Sequence, residues 1–294
     1  MGGPRPLVGI SGWTYKPWRG VFYPEGLVQR RELEYASRQF RSIEINGTFY
    51  GLQKPDAFRR WREETPDGFV FAVKGSRYIT HTRRLKEIEK PLANFLASGV
   101  LALEEKLGPI LWQLPPSLRF DAERLDAFLS LLPSDTEEAA RLAKRHDDRL
   151  NGRSWMRPGR KRTLRHALEV RHDSFKTKEF IDLLRRHKTA LVFTDAVDWP
   201  YMEDVTADFI YLRLHGSEEL YASGYSKKAL DRWADRVGKW AAGGEPADSE
   251  RIDGKARKRE SGRRVHVYFD NDAKVRAPFD ASGLMERLGL EPSG

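Results

Sequence analysis

The chain contains no cysteine, which excludes disulfides, thiolate metal centres and cysteine nucleophiles together. No uninterrupted apolar run approaches the ~18 residues of a membrane-spanning helix. Met1 to Ile10 holds two prolines and no apolar stretch of the kind that marks a secretory leader, so a cytoplasmic protein with no membrane partner is expected. A glycine-rich phosphate loop after the first apolar run is also missing, which argues against a doubly wound nucleotide-binding sheet. Apolar material is not scarce: 39% of the 294 residues are hydrophobic, and 8 Trp, 10 Tyr and 15 Phe provide bulk for a core without metal or disulfide support. One domain over residues 1–294 suits this length.

Eight short runs rich in apolar and β-branched residues alternate with segments of helical periodicity. They are Val8 to Trp13, Ser42 to Phe49, Phe69 to Lys74, Ile110 to Leu114, Ala167 to Arg171, Ala190 to Asp195, Phe209 to His215 and Val265 to Asp270. Between them, apolar residues recur three and four apart, as in Leu92, Phe95 and Leu96 or Phe180, Leu183 and Leu184. Pro55 and Pro91 suit first helical turns, and Ser226 suits an N-cap ahead of Lys227 to Trp240. The connection from Ala196 to Ala207 is short and contains Pro200, so the sixth helix is expected to be reduced. Eight strand–helix units predict the α/β class: parallel strands with right-handed crossovers, closed into a (β/α)₈ barrel of the TIM type that leaves no exposed edge.

The net charge of +9 is concentrated. Ala140 to Arg165 holds ten Lys or Arg against two Asp, so this segment alone accounts for +8. It belongs to an insertion at 133–165, whose start predicts an extra helix from Thr136 to Leu150. A second insertion at 242–264 is rich in Gly, Asp, Lys and Arg and is expected to be mobile. Both join a helix to the next strand, which places them at the N-terminal face, opposite the usual active site of a barrel.

The strand ends carry the chemistry. Charged or polar residues close the apolar runs: Glu44 and Asn46, Lys74, Gln113, Glu169 with Arg171 and His172, Asp195, Arg213 with His215, and Asp270 with Asn271. Side chains alternate along a strand, so Glu44 with Asn46, Glu169 with Arg171, and Arg213 with His215 each share a face. Ionised groups gathered inside a barrel must be paired, whether as a pocket or as a structural plug. Glu44, Glu169, His172, Asp195 and His215 are the catalytic candidates, as acids and bases. Trp13, Asn46, Tyr50, Lys74, Gln113, Arg171, Arg213, Asp270 and Asn271 are the substrate-binding candidates. The histidines lack HExxH-like spacing and the carboxylates have cationic neighbours, so no cofactor is predicted and a divalent metal is not favoured. Loop residues Arg77, His81, Arg83, Arg84 and Lys86, and Gly216, Ser217, Ser223 and Gly224, offer phosphate contacts. The aromatics Trp13, Tyr15, Trp18, Phe22 and Tyr23 either pack their loop or stack on a ligand.

Several motifs resemble the domain of unknown function 72 family, also called YecE-like. They are Ser11-Gly12-Trp13, Trp18-Arg19-Gly20, Phe22-Tyr23-Pro24, Glu44-Ile45-Asn46, Thr48-Phe49-Tyr50, Thr80-His81, Gln113-Leu114-Pro115-Pro116, Glu169-Val170-Arg171-His172, Arg213-Leu214-His215-Gly216 and Tyr268-Phe269-Asp270-Asn271. The resemblance implies a TIM-type barrel with these motifs at its mouth, and no particular reaction. The residues themselves point to an enzyme acting on a phosphate-bearing substrate, for instance by phosphoester hydrolysis. Two alternatives are a nucleic-acid-binding protein without catalysis, using Arg141 to Arg165 and the loop from Arg77 to Lys86, and a sugar-processing barrel.

Overall fold

Each apolar run becomes a strand in the computed structural model, which describes residues 3–216, 224–272 and 274–292. The strands are β1 Leu7–Ser11, β2 Ser42–Ile45, β3 Val70–Lys74, β4 Leu107–Gln113, β5 His166–Glu169, β6 Ala190–Asp195, β7 Phe209–Leu214 and β8 Arg264–Phe269. All neighbours pair in parallel, and β8 pairs with β1 to close the barrel. Strand two ends sooner than its sequence suggests. The Thr48 hydroxyl donates to the carbonyls of Ile45 (3.0 Å) and Lys74 (2.6 Å), and this local bonding turns the chain into a short helix instead of extending the ladder.

The helices are α1 Glu32–Gln39, α2 Gly47–Tyr50, α3 Pro55–Glu63, α4 Glu89–Ala97, α5 Ala122–Leu131, α6 Thr136–Ala143, α7 Lys178–Arg186, α8 Lys227–Ala241 and α9 Ala277–Arg287. Their starts obey local chemistry: Pro55 opens α3, and the Ser226 hydroxyl accepts the Ala229 amide at 3.2 Å to cap α8. Among the described residues no helix lies between β6 and β7, as the proline-broken connection predicts. Nor is any described helix long and apolar enough to cross a membrane.

Alternation along the strands separates two apolar regions. Ala72, Leu111, Ala167, Val192, Phe209, Tyr211 and Tyr268 fill the barrel interior, while Ile10, Ile43, Ile45, Phe71, Val73, Trp112, Leu168 and Phe193 pack outward under the helices. A fully buried side chain of this size contributes about 1.5–3 kcal/mol. Where β1 crosses β2, only glycine fits: a Cβ on Gly9 would stand 1.8 Å from the Ser42 carbonyl oxygen. Gly9→Ala is therefore expected to force the two strands apart and destabilise the fold by about 1–3 kcal/mol. Urea unfolding measures this, and an unchanged midpoint would refute the close approach.

The insertions leave and rejoin at the N-terminal face, but the first also reaches the other end. Its helix stops at Ala143, and the Asp147 carboxylate accepts the Arg149 amide to start a separate turn, Asp148–Leu150. That turn sits beside the first turns of α4, where Lys90 Nζ donates to the Arg145 carbonyl (2.8 Å) and the Asn94 amide donates to Asp147 (3.0 Å). The chain then descends, so that the Trp155 amide meets the Ala97 carbonyl at the foot of α4. The second insertion is tied down, contrary to its composition. Asp204, buried, accepts the amides of Ile252 (2.8 Å) and Asp253 (3.1 Å), and Arg185 pairs with Asp253 at 2.5 Å.

Candidate active site

Above the apolar interior, the last inward-facing position of each strand, or the residue just past it, is polar: Ser11, Glu44, Lys74, Gln113, Glu169, Thr194, Arg213 and Asp270. Six of these follow interior residues by two, as Lys74 follows Ala72 and Arg213 follows Tyr211. All eight are buried. The structure thus brings Glu44, Lys74, Gln113, Glu169, Arg213 and Asp270 together, with Asn46, Arg171 and His215 immediately beyond.

Arg213 is the hub, and its N–H groups are fully used. Nε donates to Glu44 Oε2 (3.2 Å), one terminal nitrogen to Glu169 Oε2 (2.6 Å), and the other to Glu44 Oε1 (2.9 Å) and Asp270 Oδ2 (2.8 Å). Glu44 is equally saturated, since it also accepts from the Ser11 hydroxyl (2.7 Å) and the Tyr211 phenol (2.5 Å). His215 Nδ1 lies 3.1 Å from Asp270 Oδ2, and its Nε2 lies 3.4 Å from the first terminal nitrogen of Arg213. Burial and the Arg213 charge push its pKa down. A neutral ring that donates from Nδ1 and accepts at Nε2 fits both neighbours.

Burial works against the charges of Glu169 and Asp270, but Arg171 and Arg213 for the former, and Arg213 with His215 for the latter, outweigh it and hold both well below the usual carboxylate range. Neither is a proton donor near neutral pH. Two other groups lie in the useful range. Burial, then the Arg213 charge, brings Lys74 down to about 8. Burial, then the Asp270 charge, lifts Asp272 to about 6.

Two cations remain open. Arg171 donates from Nε to Glu169 Oε1 (2.6 Å) and its guanidinium stacks 3.5 Å over the Trp199 ring; its terminal nitrogens bond to no described residue. Lys74 Nζ lies 4.5 Å over the Phe49 ring and has no ion-pair or hydrogen-bond partner among the described residues. Nearby, Asn46 Oδ1 is buried without a hydrogen-bond partner among the described residues. Among the described residues no three His, Asp or Glu side chains are grouped as metal ligands.

Other candidates lie elsewhere. Asp195 is one residue past the inward-facing Thr194, so it points outward and accepts from the Tyr225 phenol at 2.8 Å. Asn271 likewise follows the inward Asp270 and donates to Asp280 on α9 (2.8 Å). The His172 ring accepts the Ser174 amide (3.0 Å) and caps the turn Asp173–Phe175. Trp13 packs edge-on against Trp61 (5.4 Å) and also meets the outward-facing Phe71, while Trp18 and Tyr23 are buried in their own loop. Tyr50 is 72% exposed and lines a rim groove of about 330 Å³ with Tyr78, Arg83, Lys90 and Arg149. Of the glycine–serine loop, Ser217 and Ser223 lie outside the described residues, and the Gly216 amide donates to the Tyr225 phenol (3.1 Å).

Four contributors were not singled out from the sequence. Tyr211 and Thr194 obey the alternation that selects Arg213 and rejects Asp195, so parity alone would have found them. Asp272 lies two past Asp270. Trp199 sits in a connection without regular structure and had no such signal.

The sequence profile of the family described as "Protein of unknown function DUF72" matches residues 7–294. UPF0759 protein YecE of Escherichia coli (strain K12) is 31% identical over 131 residues, 44% of this chain and 44% of that protein. UPF0759 protein YunF of Bacillus subtilis (strain 168) is 28% identical over 114 residues, 37% of this chain and 39% of that one. The chain thus spans less than half the length of these curated relatives in the matched stretches. The crystal structure of a DUF72 family protein from Thermotoga maritima MSB8 aligns with a TM-score of 0.74 at 24% identity, covering 97% of this chain and 100% of that chain. At that identity it speaks for the fold alone.

Proposed function

Because the chain belongs to the DUF72 family, whose description names no activity, we propose from the barrel mouth itself that this is an enzyme acting on a phosphate-bearing substrate. One observation carries the reading: among the described residues Arg171 and Lys74 keep unbonded N–H donors beside an arginine that has none to spare. Glu169 holds the Arg171 Nε and Trp199 holds its plane, so the two terminal nitrogens form a preset fork for two oxygens of one phosphate. Lys74 adds a mobile charge.

This division changes the roles expected of the strand-end residues. Arg213 is a positioning residue that fixes Glu169, which in turn fixes Arg171. Glu44, with both oxygens occupied, is not a base for substrate. Acid–base work falls to groups whose pKa lies near neutrality, Asp272 at about 6 and Lys74 at about 8. In phosphoester hydrolysis the water oxygen would bond to phosphorus as the ester P–O bond breaks; Arg171 and Lys74 would take up charge on the phosphoryl oxygens, Asp272 would accept the proton of the attacking water, and the departing alcohol oxygen would take a proton from solvent.

Titration calorimetry with inorganic phosphate and with simple phosphomonoesters tests the reading. Arg171→Ala should weaken binding about 10- to 100-fold, the size of a lost charge-assisted pair, while Tyr50→Ala should not. Binding to the unaltered protein should also decline as pH rises through about 8, where Lys74 loses its proton. If neither phosphate nor any phosphoester binds, the reading fails.

A further inference from the structure

At the end of the barrel away from the mouth, helix-to-strand connections enclose a concavity of about 950 Å³. Both insertions contribute to it, the first through Lys161, Arg162 and Arg165 and the second through Arg259, and the turn before β6 adds Lys188. Two of these five cations are neutralised. Lys161 pairs with Asp135 (3.2 Å) and Glu137 (2.9 Å), and Arg165 pairs with Asp208 (3.1 Å).

Arg162, Lys188 and Arg259 have no carboxylate in ion-pair range among the described residues; the Arg259 guanidinium reaches only the Ser261 hydroxyl. Lys188 stands at φ +52 as the residue that closes α7, where the Thr189 amide donates to the Leu184 carbonyl at 3.0 Å, and this turn aims it at the concavity. Leu129, Leu132 and Leu164 supply an apolar wall to the same space. Its volume is at the upper end of the range that encloses small-molecule ligands, roughly 300–1,000 Å³.

We infer that this basal concavity is a second binding site, separate from the mouth, for a nucleotide unit whose phosphates meet Arg162, Lys188 and Arg259 and whose base lies against the leucine wall. The unit is either a free nucleotide or part of a single strand, since both present the same phosphate and base chemistry. From the basic first insertion this site uses Arg162.

Calorimetry with ATP and fluorescence anisotropy with a short labelled single-stranded DNA, at about 50 and 200 mM salt, provide the test. The triple variant Arg162→Ala, Lys188→Ala, Arg259→Ala should lose at least about tenfold in affinity for one or both probes. For DNA, the slope of log affinity against log salt should fall by about 2. Loss for ATP alone assigns free nucleotides, and loss for DNA alone assigns a strand; either supports the site. A control triple of exposed cations elsewhere, Arg30→Ala, Lys54→Ala and Arg60→Ala, should bind as the unaltered protein does, and the single reversal Lys188→Glu should weaken binding on its own. Absence of binding to both probes at the lower salt, or equal losses in the two triples, overturns the inference. Arg171→Ala should leave basal binding in place, so this site and the mouth succeed or fail separately.

Discussion

Arg213→Met is expected to remove roughly 3–5 kcal/mol of stability or more at pH 7, the cost of breaking a buried ion pair by deleting one partner. Typical domains have about 5–15 kcal/mol in total, so much of the protein should be unfolded in mild denaturant. Arg213 is fully buried and serves three carboxylates, two of them equally buried. Without it, Glu44 keeps only its hydroxyl donors, Glu169 keeps Arg171 and Asp270 keeps His215. Lysine is no substitute, because a single ammonium cannot reproduce five N–H donors in a planar fork.

The pH dependence distinguishes this explanation from simple loss of packing. In the unaltered protein Glu169 and Asp270 have folded pKa values depressed below their unfolded ones. The stability they contribute is full above the unfolded values, near pH 4, and is lost as pH falls through that region and below. In Arg213→Met the depression is largely gone and the uncompensated carboxylates gain by protonation. The gap between the two proteins should therefore hold from pH 7 to about 4 and narrow as pH falls through about 4 and below. Urea midpoints followed by circular dichroism at several pH values measure the gap; a gap that does not change with pH would mean that charge is not the cause.

The second large effect has the opposite sign. Lys74→Met should stabilise the protein at pH 7 by up to about 3 kcal/mol, because the interval between an ordinary lysine at 10.5 and about 8 corresponds to roughly that energy. Folding lowers this pKa, so the cost is fully present below pH 8, where both states are protonated. It is relieved as pH rises from 8 to 10.5, where only the unfolded chain keeps the proton. The variant should lose this rise, and its advantage should vanish above about pH 10.5. Weaker phosphate binding in a more stable protein is the pattern of a side chain kept for its chemistry; a destabilised Lys74→Met would show that the amine is a structural partner instead.

How much of this was legible in the sequence depended on period. Eight apolar runs of strand length, separated by helical spacing, specify the barrel because both periodicities are local. The polar ring at the mouth was half legible. Glu44, Lys74, Glu169, Arg213 and Asp270 could be named because charge in an apolar run stands out, whereas Thr194 and Tyr211 do not. Asp195 and Asn271 were selected by type and misdirected by one residue of parity, which decides between interior and exterior. Saturation of Arg213 and Glu44 was not legible at all, since it depends on angles and distances among residues from 33 to 169 positions apart. The second insertion looked mobile because composition counts polar residues without showing that Asp204 and Arg185 await them.

The ligands of the Arg213 guanidinium come from the first and last strands of the barrel and from between them: Ser11 on β1, Glu44 on β2, Glu169 on β5 and Asp270 just past β8. During synthesis on a ribosome, Glu44 emerges well before its arginine does, and the arginine before its last acidic neighbour. No N-terminal fragment can satisfy the set, and neither can a C-terminal one. Closure of the ring must therefore wait until β8 has been synthesised, and nascent chains stalled before Asp270 should be easily degraded by proteases.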